Sequence, residues 1–218
     1  MRRLGALAIA GLVVVVLVVA QLVLPGIATQ RLRDRLSRSG RVLEVKVSAF
    51  PAIELLWHHA DSVVVRMASY RAQAAKLPAT LVQAGDVGSL RASAQLFHDG
   101  LLTLHDARLV KQGNRLNGSA VVAESDLRAA APFLTSVTPV ASSDGRLTLR
   151  GTATLLGLSA TVDATVSAQD GKLVVAPDVP FGGLATVTVF SDPRIKVQGV
   201  SASPVPGGFE VRGTAVLR

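Results

Sequence analysis

The chain alternates strictly between apolar and polar side chains in Leu158-Ser159-Ala160-Thr161-Val162-Asp163-Ala164-Thr165-Val166. Because successive side chains of a strand point to opposite faces of a sheet, this pattern predicts a strand with one buried face. Similar spacing predicts further strands over residues 42–49, 62–67, 146–150, 172–175, 184–190, 195–202 and 209–217. Predicted turns separate the strands at Asp99-Gly100, Asn117-Gly118, Asp144-Gly145, Asp170-Gly171 and Pro206-Gly207-Gly208.

Two segments depart from this alternation and predict short helices. Residues 51–60 begin with proline and carry Ile53, Leu56 and Trp57 at helical spacing. Residues 125–133 begin with Ser125, a residue type that caps helices. The spacing leaves residues 71–86 unassigned. Strands without alternating helices indicate the α+β class, with a strongly curved, mainly antiparallel sheet, near a half-barrel, packed against one or two helices.

Composition excludes several classes of protein. The chain has 218 residues, enough for a core, and 49% of them are hydrophobic, which is too many for a disordered chain. It has no cysteine, so disulfides, thiolate metal sites and cysteine nucleophiles are excluded. An exported protein can fold without disulfides, and the absence therefore assigns no compartment.

The net charge of +8 is concentrated at the N-terminus. Residues 1–41 hold seven basic residues and one acid, Asp34, whereas residues 42–218 hold 16 basic and 14 acidic residues. A nucleic-acid-binding domain is basic on the face that meets phosphate. The near balance of the remainder argues against nucleic acid as a partner and favours a membrane explanation for the basic N-terminus.

The N-terminal segment predicts a membrane anchor. An almost unbroken apolar run covers residues 4–24 behind Arg2 and Arg3, and as a helix it would be roughly 31 Å long, enough to span a bilayer. The arginine pair orients the remainder outward. Residues 1–28 are therefore expected to form a signal anchor, and residues 29–218 an extracytoplasmic domain. Cleavage after Ala28, which would secrete the protein, and a buried core helix are the alternatives.

A basic amphipathic helix is predicted directly after this segment. Ala28, Leu32 and Leu36 are spaced four residues apart and share one helical face. The other faces carry arginines, namely Arg31, Arg33, Arg35 and Arg38. Two interpretations stay open and are compatible: the arginines bind anionic headgroups, or the helix is solvated and its leucine stripe packs on the domain.

Catalytic and metal-binding patterns are absent from the sequence. It contains no Gly-x-Ser-x-Gly, Ser-x-x-Lys, His-Glu-x-x-His, phosphate loop or dinucleotide fingerprint. His58 and His59 are adjacent, and on a helix they would point about 100° apart, which disfavours a shared metal. We therefore expect no enzyme activity, no metal and no cofactor.

One apolar segment suggests a binding site. Residues 50–57 combine the only Trp of the chain with Phe50 and three large aliphatic side chains, between two predicted strands. The segment either covers the core or forms an apolar lip that meets lipid, since a Trp ring favours a membrane interface. The candidate lipid-binding residues of this lip are Phe50, Pro51, Ile53, Leu55, Leu56 and Trp57.

The strand that runs into Phe50-Pro51 resembles a signature of the actinobacterial LmeA-type family of phospholipid-binding cell-envelope proteins. That signature is a strand followed by Gly-Phe-Pro-Phe-Leu, and here Ala49 and Ala52 replace its Gly and second Phe. Three later segments are also similar: residues 116–127, the hairpin and strand of 145–177, and the closing hairpin of 195–211. Together the similar segments extend over residues 29–218.

The resemblance implies an elongated, tubular lipid-binding fold with an apolar interior. It also implies a membrane-anchored, extracytoplasmic protein of the periplasmic side that binds phospholipid and supports envelope lipid or lipoglycan metabolism without catalysis. An anionic membrane lipid and an envelope biosynthetic enzyme are the expected partners. The alternative function is a structural or scaffolding protein with a filled core that binds an envelope enzyme.

Overall fold

The computed structural model describes residues 23–50, 55, 60–72, 87–99, 102–130, 134–155, 158–178 and 186–218. These residues include two helices, α1 over residues 23–37 and α2 over Glu124–Ala130. They also form twelve strands: β1 Gly40–Ser48, β2 Ala60–Ala72, β3 Val87–Asp99, β4 Leu102–Gln112, β5 Arg115–Ala123, β6 Leu134–Ser143, β7 Arg146–Leu155, β8 Leu158–Gln169, β9 Lys172–Pro177, β10 Val187–Phe190, β11 Ile195–Val205 and β12 Gly208–Leu217.

The strands form two open sheets. The large sheet has the order β1-β2-β3-β4-β5-β12-β11, and the small sheet has the order β10-β9-β8-β7-β6. All neighbouring strands are antiparallel except β2 and β3, which are parallel. The predicted β-rich, mainly antiparallel architecture is confirmed, but the single curved sheet is wrong. Alternation shows which side chains share a face and leaves open which strands become neighbours.

Short turns of the small sheet hold the two sheets together. In the β6–β7 turn, Asp144 and Gly145 have positive φ angles of 51° and 71°. A positive φ at both central residues gives a two-residue turn the backbone twist that matches the flanking strands. The amide of Val200 on β11 donates to the Gly145 carbonyl at 3.0 Å, and that of Val197 donates to Gly171 in the β8–β9 turn at 2.9 Å. Edge strand β11 of the large sheet is thereby covered by turns of the small sheet.

The inner face of the large sheet, which packs on the small sheet and on α1, carries the core. Its inter-sheet core joins Val122, Val200, Ala202 and Phe209 of the large sheet to Leu147 and Val166 of the small sheet. Leu147 is only 2% exposed. The inner face is continuous across the sheet, because Val65, Ala92, Leu109 and Gly118 are register partners from β2 to β5.

Helix α1 closes the other end of the inner face. Leu32 and Leu36 pack against a helix-side core, composed of Ala60, Val63, Val65, Met67 and Ala94. This contact confirms the interpretation in which the leucine stripe packs on the domain. It leaves the arginine–lipid interpretation untested. Pro25 and Gly26 lie within helix α1, which is described from residue 23 onward.

The described residues contain no helix whose length and apolarity would let it cross a membrane. Most of the predicted anchor lies in residues 1–22, outside the described residues, so the anchor and its cleavage after Ala28 stay predictions. The helix predicted over residues 51–60 likewise lies outside them, apart from Leu55 and Ala60, and Ala60 begins β2.

Local signals were right at the turns of residues 144–145, 170–171 and 206–208 and wrong at one, while Gly100 of the predicted Asp99-Gly100 turn lies outside the described residues. The predicted turn at Asn117-Gly118 lies inside β5, where Gly118 pairs with Leu109 and with Gly213. Helix α2 begins one residue before the predicted Ser125 cap, and the Glu124 amide donates to the Gly207 carbonyl at 3.0 Å. The alternating pattern had not identified β3, β4, β5 or β6.

Candidate functional site

An apolar cavity of about 250 Å³ lies between the two sheets. Four strands of the large sheet form its floor, and β9 and β10 cover it through Leu173 and Phe190. The remaining lining residues belong to the large sheet or to the turn-facing part of β11: Leu109, Leu116, Gly118, Ile195, Val197, Gly199, Val200, Val211, Gly213, Thr214 and Ala215. Hydrocarbon groups dominate this lining, which suits an apolar ligand.

Two glycines create the open floor of the cavity. Gly118 on β5 and Gly213 on β12 are direct register partners on the inner face. A Cβ built on Gly118 would come no closer than 3.8 Å to another group, and one built on Gly213 no closer than 4.0 Å. Side chains could therefore be accommodated at both positions, and their absence leaves unfilled volume. A glycine inside a strand often marks such a close approach or ligand position.

A third glycine in the lining has a different role. Gly199 faces the β6–β7 turn, and a Cβ on it would lie 3.0 Å from the Cα of Gly145. That distance is too short for an unstrained contact, so Gly199 is required for sheet packing. The contrast assigns the cavity volume to Gly118 and Gly213.

Large aliphatic side chains close one end of the cavity. Leu116, Ile195 and Leu217 are 4%, 3% and 6% exposed and form a buried end cluster with Phe190 and Leu109 packed beside it. Nearby on the inner face, the 1% exposed Lys111 donates a hydrogen bond to the Val87 carbonyl. Lys111 is not part of the cavity lining.

Phe50, one of the two described residues of the predicted apolar lip, lies at the opposite edge of the large sheet from the cavity. Phe50 follows β1, is 80% exposed, and donates its amide to Asp61 Oδ2 at 2.6 Å. Leu55 is half-buried and packs against the helix-side core. The other predicted lip residues lie outside the described residues: Pro51, Ile53, Leu56 and Trp57. Among the described residues, the cavity lining includes none of the lip, so the lipid role of the lip stays a prediction.

The predicted membrane-facing arginines are all exposed. Arg31, Arg33 and Arg35 lie on α1, and Arg38 follows its last turn. They surround the side of the helix that does not pack on the sheet, and the apolar Val23 and Ile27, in the first described turns of α1, are 48% and 44% exposed. The geometry is compatible with contact to an anionic surface.

The described histidines, His98 and His105, each make a polar contact with one nearby side chain. His105 Nε2 lies 2.6 Å from Asp126 Oδ2, which links β4 to α2, and His98 Nδ1 lies 3.1 Å from the Thr103 hydroxyl. No cluster of three or more His, Asp or Glu side chains suited to a metal occurs in the described part of the chain. The first contact joins β4 to α2, and the second joins β3 to β4.

A comparison with models of known protein families shows the family to which the chain belongs. The family model described as LmeA-like phospholipid-binding matches residues 15–213. The match covers most of the chain, which therefore belongs to the LmeA-like phospholipid-binding family. Neither a curated protein nor a solved structure matches the chain.

Sequence reasoning missed the cavity because it assigned Asn117-Gly118 to a turn. The resemblance of residues 116–127 to the family had indicated a small-residue strand over 116–120, which β5 confirms, but it did not indicate that the glycine inside this strand borders a cavity. Nothing in the local sequence shows that Gly213 lies opposite Gly118.

Proposed function

We propose that this chain is a phospholipid-binding protein that holds part of an acyl chain in the cavity between its two sheets. The observation that carries the proposal is the apolar volume above Gly118 and Gly213. Apolar surface is stabilised when it leaves water, by about 0.8 kcal/mol for each buried methylene. Membership of a family described as phospholipid-binding supports this ligand class.

The size of the cavity limits what enters it. Its volume of about 250 Å³ is below the range of roughly 300–1,000 Å³ typical of pockets that enclose a whole small molecule. A segment of one acyl chain therefore fits better than a complete phospholipid. The headgroup and the glycerol remain outside the cavity, where polar groups keep their hydration.

We further propose a location and a role for the protein. The protein is anchored by its N-terminal segment, with the described domain on the periplasmic side, and supports envelope lipid or lipoglycan metabolism without catalysing a reaction. An envelope biosynthetic enzyme is its proposed partner. The scaffolding alternative requires a filled core, and the open floor at Gly118 and Gly213 favours lipid binding over it.

The test of the cavity is to fill it. Gly118→Val in the full chain places a branched side chain in the open volume and should weaken binding of phosphatidylglycerol with a fluorescent acyl chain at least tenfold. Asn117→Val is the matched control, because it places the same valine side chain on the same strand at an exposed position of the other face, where it fills no cavity. Native mass spectrometry of the unmodified chain should also detect co-purified phospholipid.

Two outcomes would contradict lipid binding in the cavity. Equal affinity of the Gly118→Val and Asn117→Val proteins would mean that the acyl chain binds elsewhere. Absence of any bound phospholipid, together with no binding to anionic liposomes, would favour the scaffolding function.

The membrane contact of α1 has its own test. Changing Arg31, Arg33, Arg35 and Arg38 to Gln should weaken association of residues 23–218 with anionic liposomes, because each basic residue near such a surface contributes about 1 kcal/mol. The difference should shrink in high salt, which screens exposed charges. Equal binding by both proteins at low salt would contradict a role of these arginines.

A further inference from the structure

The outer face of the large sheet, opposite the cavity and α1, carries a row of arginines. Register pairing aligns Arg66, Ser93, Arg108, Ser119, Arg212 and Ser201 across neighbouring strands from β2 to β11. The arginines thus occupy every second strand. Because neighbouring strands lie about 4.8 Å apart, adjacent arginines of the row begin roughly 10 Å apart.

Every strand of the large sheet contributes a basic side chain to this outer face. These residues form what we call the arginine face: Lys46, Arg66, Arg91, Arg108, Arg115, Arg212 and Lys196. All seven are exposed. Among the acids whose side chains the structure describes, Glu44, Asp106 and Glu210 lie near them on the same strands, which leaves a surplus of four positive charges in this described set.

Two of those acids are already engaged. Glu44 accepts from Lys46 at 2.7 Å and lies 3.5 Å from Arg66, and Glu210 pairs with Arg212 at 2.5 Å. The hydrogen bond and charge of Lys46, followed by those of Arg66, lower the pKa of the Glu44 carboxyl. At the centre of the face, Arg91 and Arg108 are diagonal neighbours on β3 and β4 and make no ion pair with the described residues.

The small sheet shows that this charge distribution is specific to the large sheet. The described small sheet and its turns hold three basic residues, Arg146, Arg150 and Lys172, and four acids, Asp144, Asp163, Asp170 and Asp178. Its outward Arg150 is neutralised by Asp163, with Nε to Oδ1 at 2.7 Å and a second bond at 2.8 Å. The Arg150 guanidinium lowers the pKa of the Asp163 carboxyl through this hydrogen bond.

We propose that the arginine face docks on an anionic phospholipid surface, as a contact separate from α1 and from the cavity. Guanidinium groups bind phosphate oxygens in a bidentate manner and remain charged at every physiological pH. The cations are distributed over seven strands, about 29 Å across at the usual strand spacing, instead of converging on one cleft. That distribution matches an extended array of phosphates and is poorly suited to a single small anion.

The arginine face lies on the side of the large sheet that faces away from α1. Helix α1 packs on Val63, Val65 and Met67, whereas Arg66 and its row project from the other side of the same strands. The two basic surfaces therefore lie on opposite sides of the large sheet. A molecule held at one lipid surface through its N-terminal part presents the arginine face to a second one.

The test measures capture of a second membrane. The full chain is incorporated into neutral phosphatidylcholine proteoliposomes, and fluorescent vesicles of 30% phosphatidylglycerol in phosphatidylcholine are added. The pair Arg91→Gln and Arg108→Gln should lower vesicle capture at least fivefold at low salt. The matched control, Arg146→Gln with Lys172→Gln, removes the same charge from the small sheet and should change capture less than twofold.

Further variants keep the result interpretable. Arg91→Lys with Arg108→Lys should retain at least half of the capture, since the charge is kept, and the difference between the Gln pairs should vanish at 0.5 M salt. Unchanged thermal unfolding of the exposed Gln variants checks their fold. Gly118→Val should leave capture unaltered, so failure of the cavity proposal is distinguishable from failure of this one.

Several outcomes would overturn the proposal. Equal losses from the two Gln pairs would indicate a non-specific effect of net charge, and equal capture of purely phosphatidylcholine vesicles would exclude a charge-based contact. Loss of capture only when Arg31 and Arg35 are changed would assign it to α1. If the Arg91 and Arg108 pair lost binding to polyglutamate but not to the anionic vesicles, the face would serve an acidic protein instead.

Discussion

The two ends of the inner face of the large sheet differ in how they are filled. Around β1 to β3, Val63, Val65 and Met67 are at most 8% exposed and Leu32 of α1 packs against them. Around β5 and β12, Gly118 and Gly213 leave a cavity of about 250 Å³. Both ends share one sheet and one alternating pattern. The comparison shows that side-chain volume, at equal periodicity, separates a closed core from a ligand space.

The largest expected effect comes from emptying the filled end. Met67 is 5% exposed within the helix-side core, so Met67→Ala should lower the free energy of unfolding by about 2–5 kcal/mol. Urea unfolding of the two proteins measures the difference. Phospholipid affinity of the folded variant should be unchanged, because the cavity lies elsewhere in the sheet. A loss below about 1 kcal/mol would mean that this end is also loosely packed.

Filling the open end should have the opposite effect: little change in stability and a loss of phospholipid binding. Gly213→Val should change the free energy of unfolding by less than about 1 kcal/mol, since a Cβ there has room and glycine inside a strand is itself unfavourable. Binding of phospholipid should nevertheless fall, as in Gly118→Val. The double variant should lose less affinity than the two single losses combined, because both side chains occupy the same volume. A stability cost above 2 kcal/mol would show that the position is already packed.

The smallest effect on stability is expected at the predicted lip. Phe50 is 80% exposed, so Phe50→Ser should change the free energy of unfolding by less than about 0.5 kcal/mol. If the lip meets lipid, vesicle binding should still decrease. Fluorescence of Trp57, the only Trp, should shift to the blue when phospholipid vesicles are added. Unchanged vesicle binding and an unmoved emission would return this segment to a purely structural role.

Much of the local structure followed from sequence. Asp144-Gly145 and Asp170-Gly171 form hairpin turns because both positions need a positive φ, which Asp and Gly tolerate. The leucine spacing of residues 28–36 identified the packing stripe of α1. The predicted site was less complete: it contained the exposed Phe50 and the arginines of α1, and it omitted every residue that lines the cavity.

Asn117-Gly118 shows why the local signal failed. The pair is a strong turn former, yet Leu116, Asn117 and Gly118 each pair with β4 on one side and with β12 on the other, and Leu116 is buried. Pairing on two sides of a central strand outweighs a dipeptide preference, because it satisfies the backbone groups of the whole segment. The same pairing places Gly118 opposite Gly213, where the absence of side chains leaves the volume of the cavity.

Residue spacing was sufficient to predict β1, β2 and β7 to β12, the turns at residues 144–145, 170–171 and 206–208, and the apolar face of α1, since each depends on the period of the backbone or on the φ that a residue tolerates. Long-range packing set the division into two sheets, the parallel pair β2–β3, the opposition of Gly118 and Gly213, and the row that joins Arg66, Arg108 and Arg212. Those features depend on register between strands that are distant in the chain. Alternation repeats every two residues, so it indicates which face of the sheet a side chain occupies. Which residue lies beside it on the next strand is determined by the tertiary packing of the whole domain.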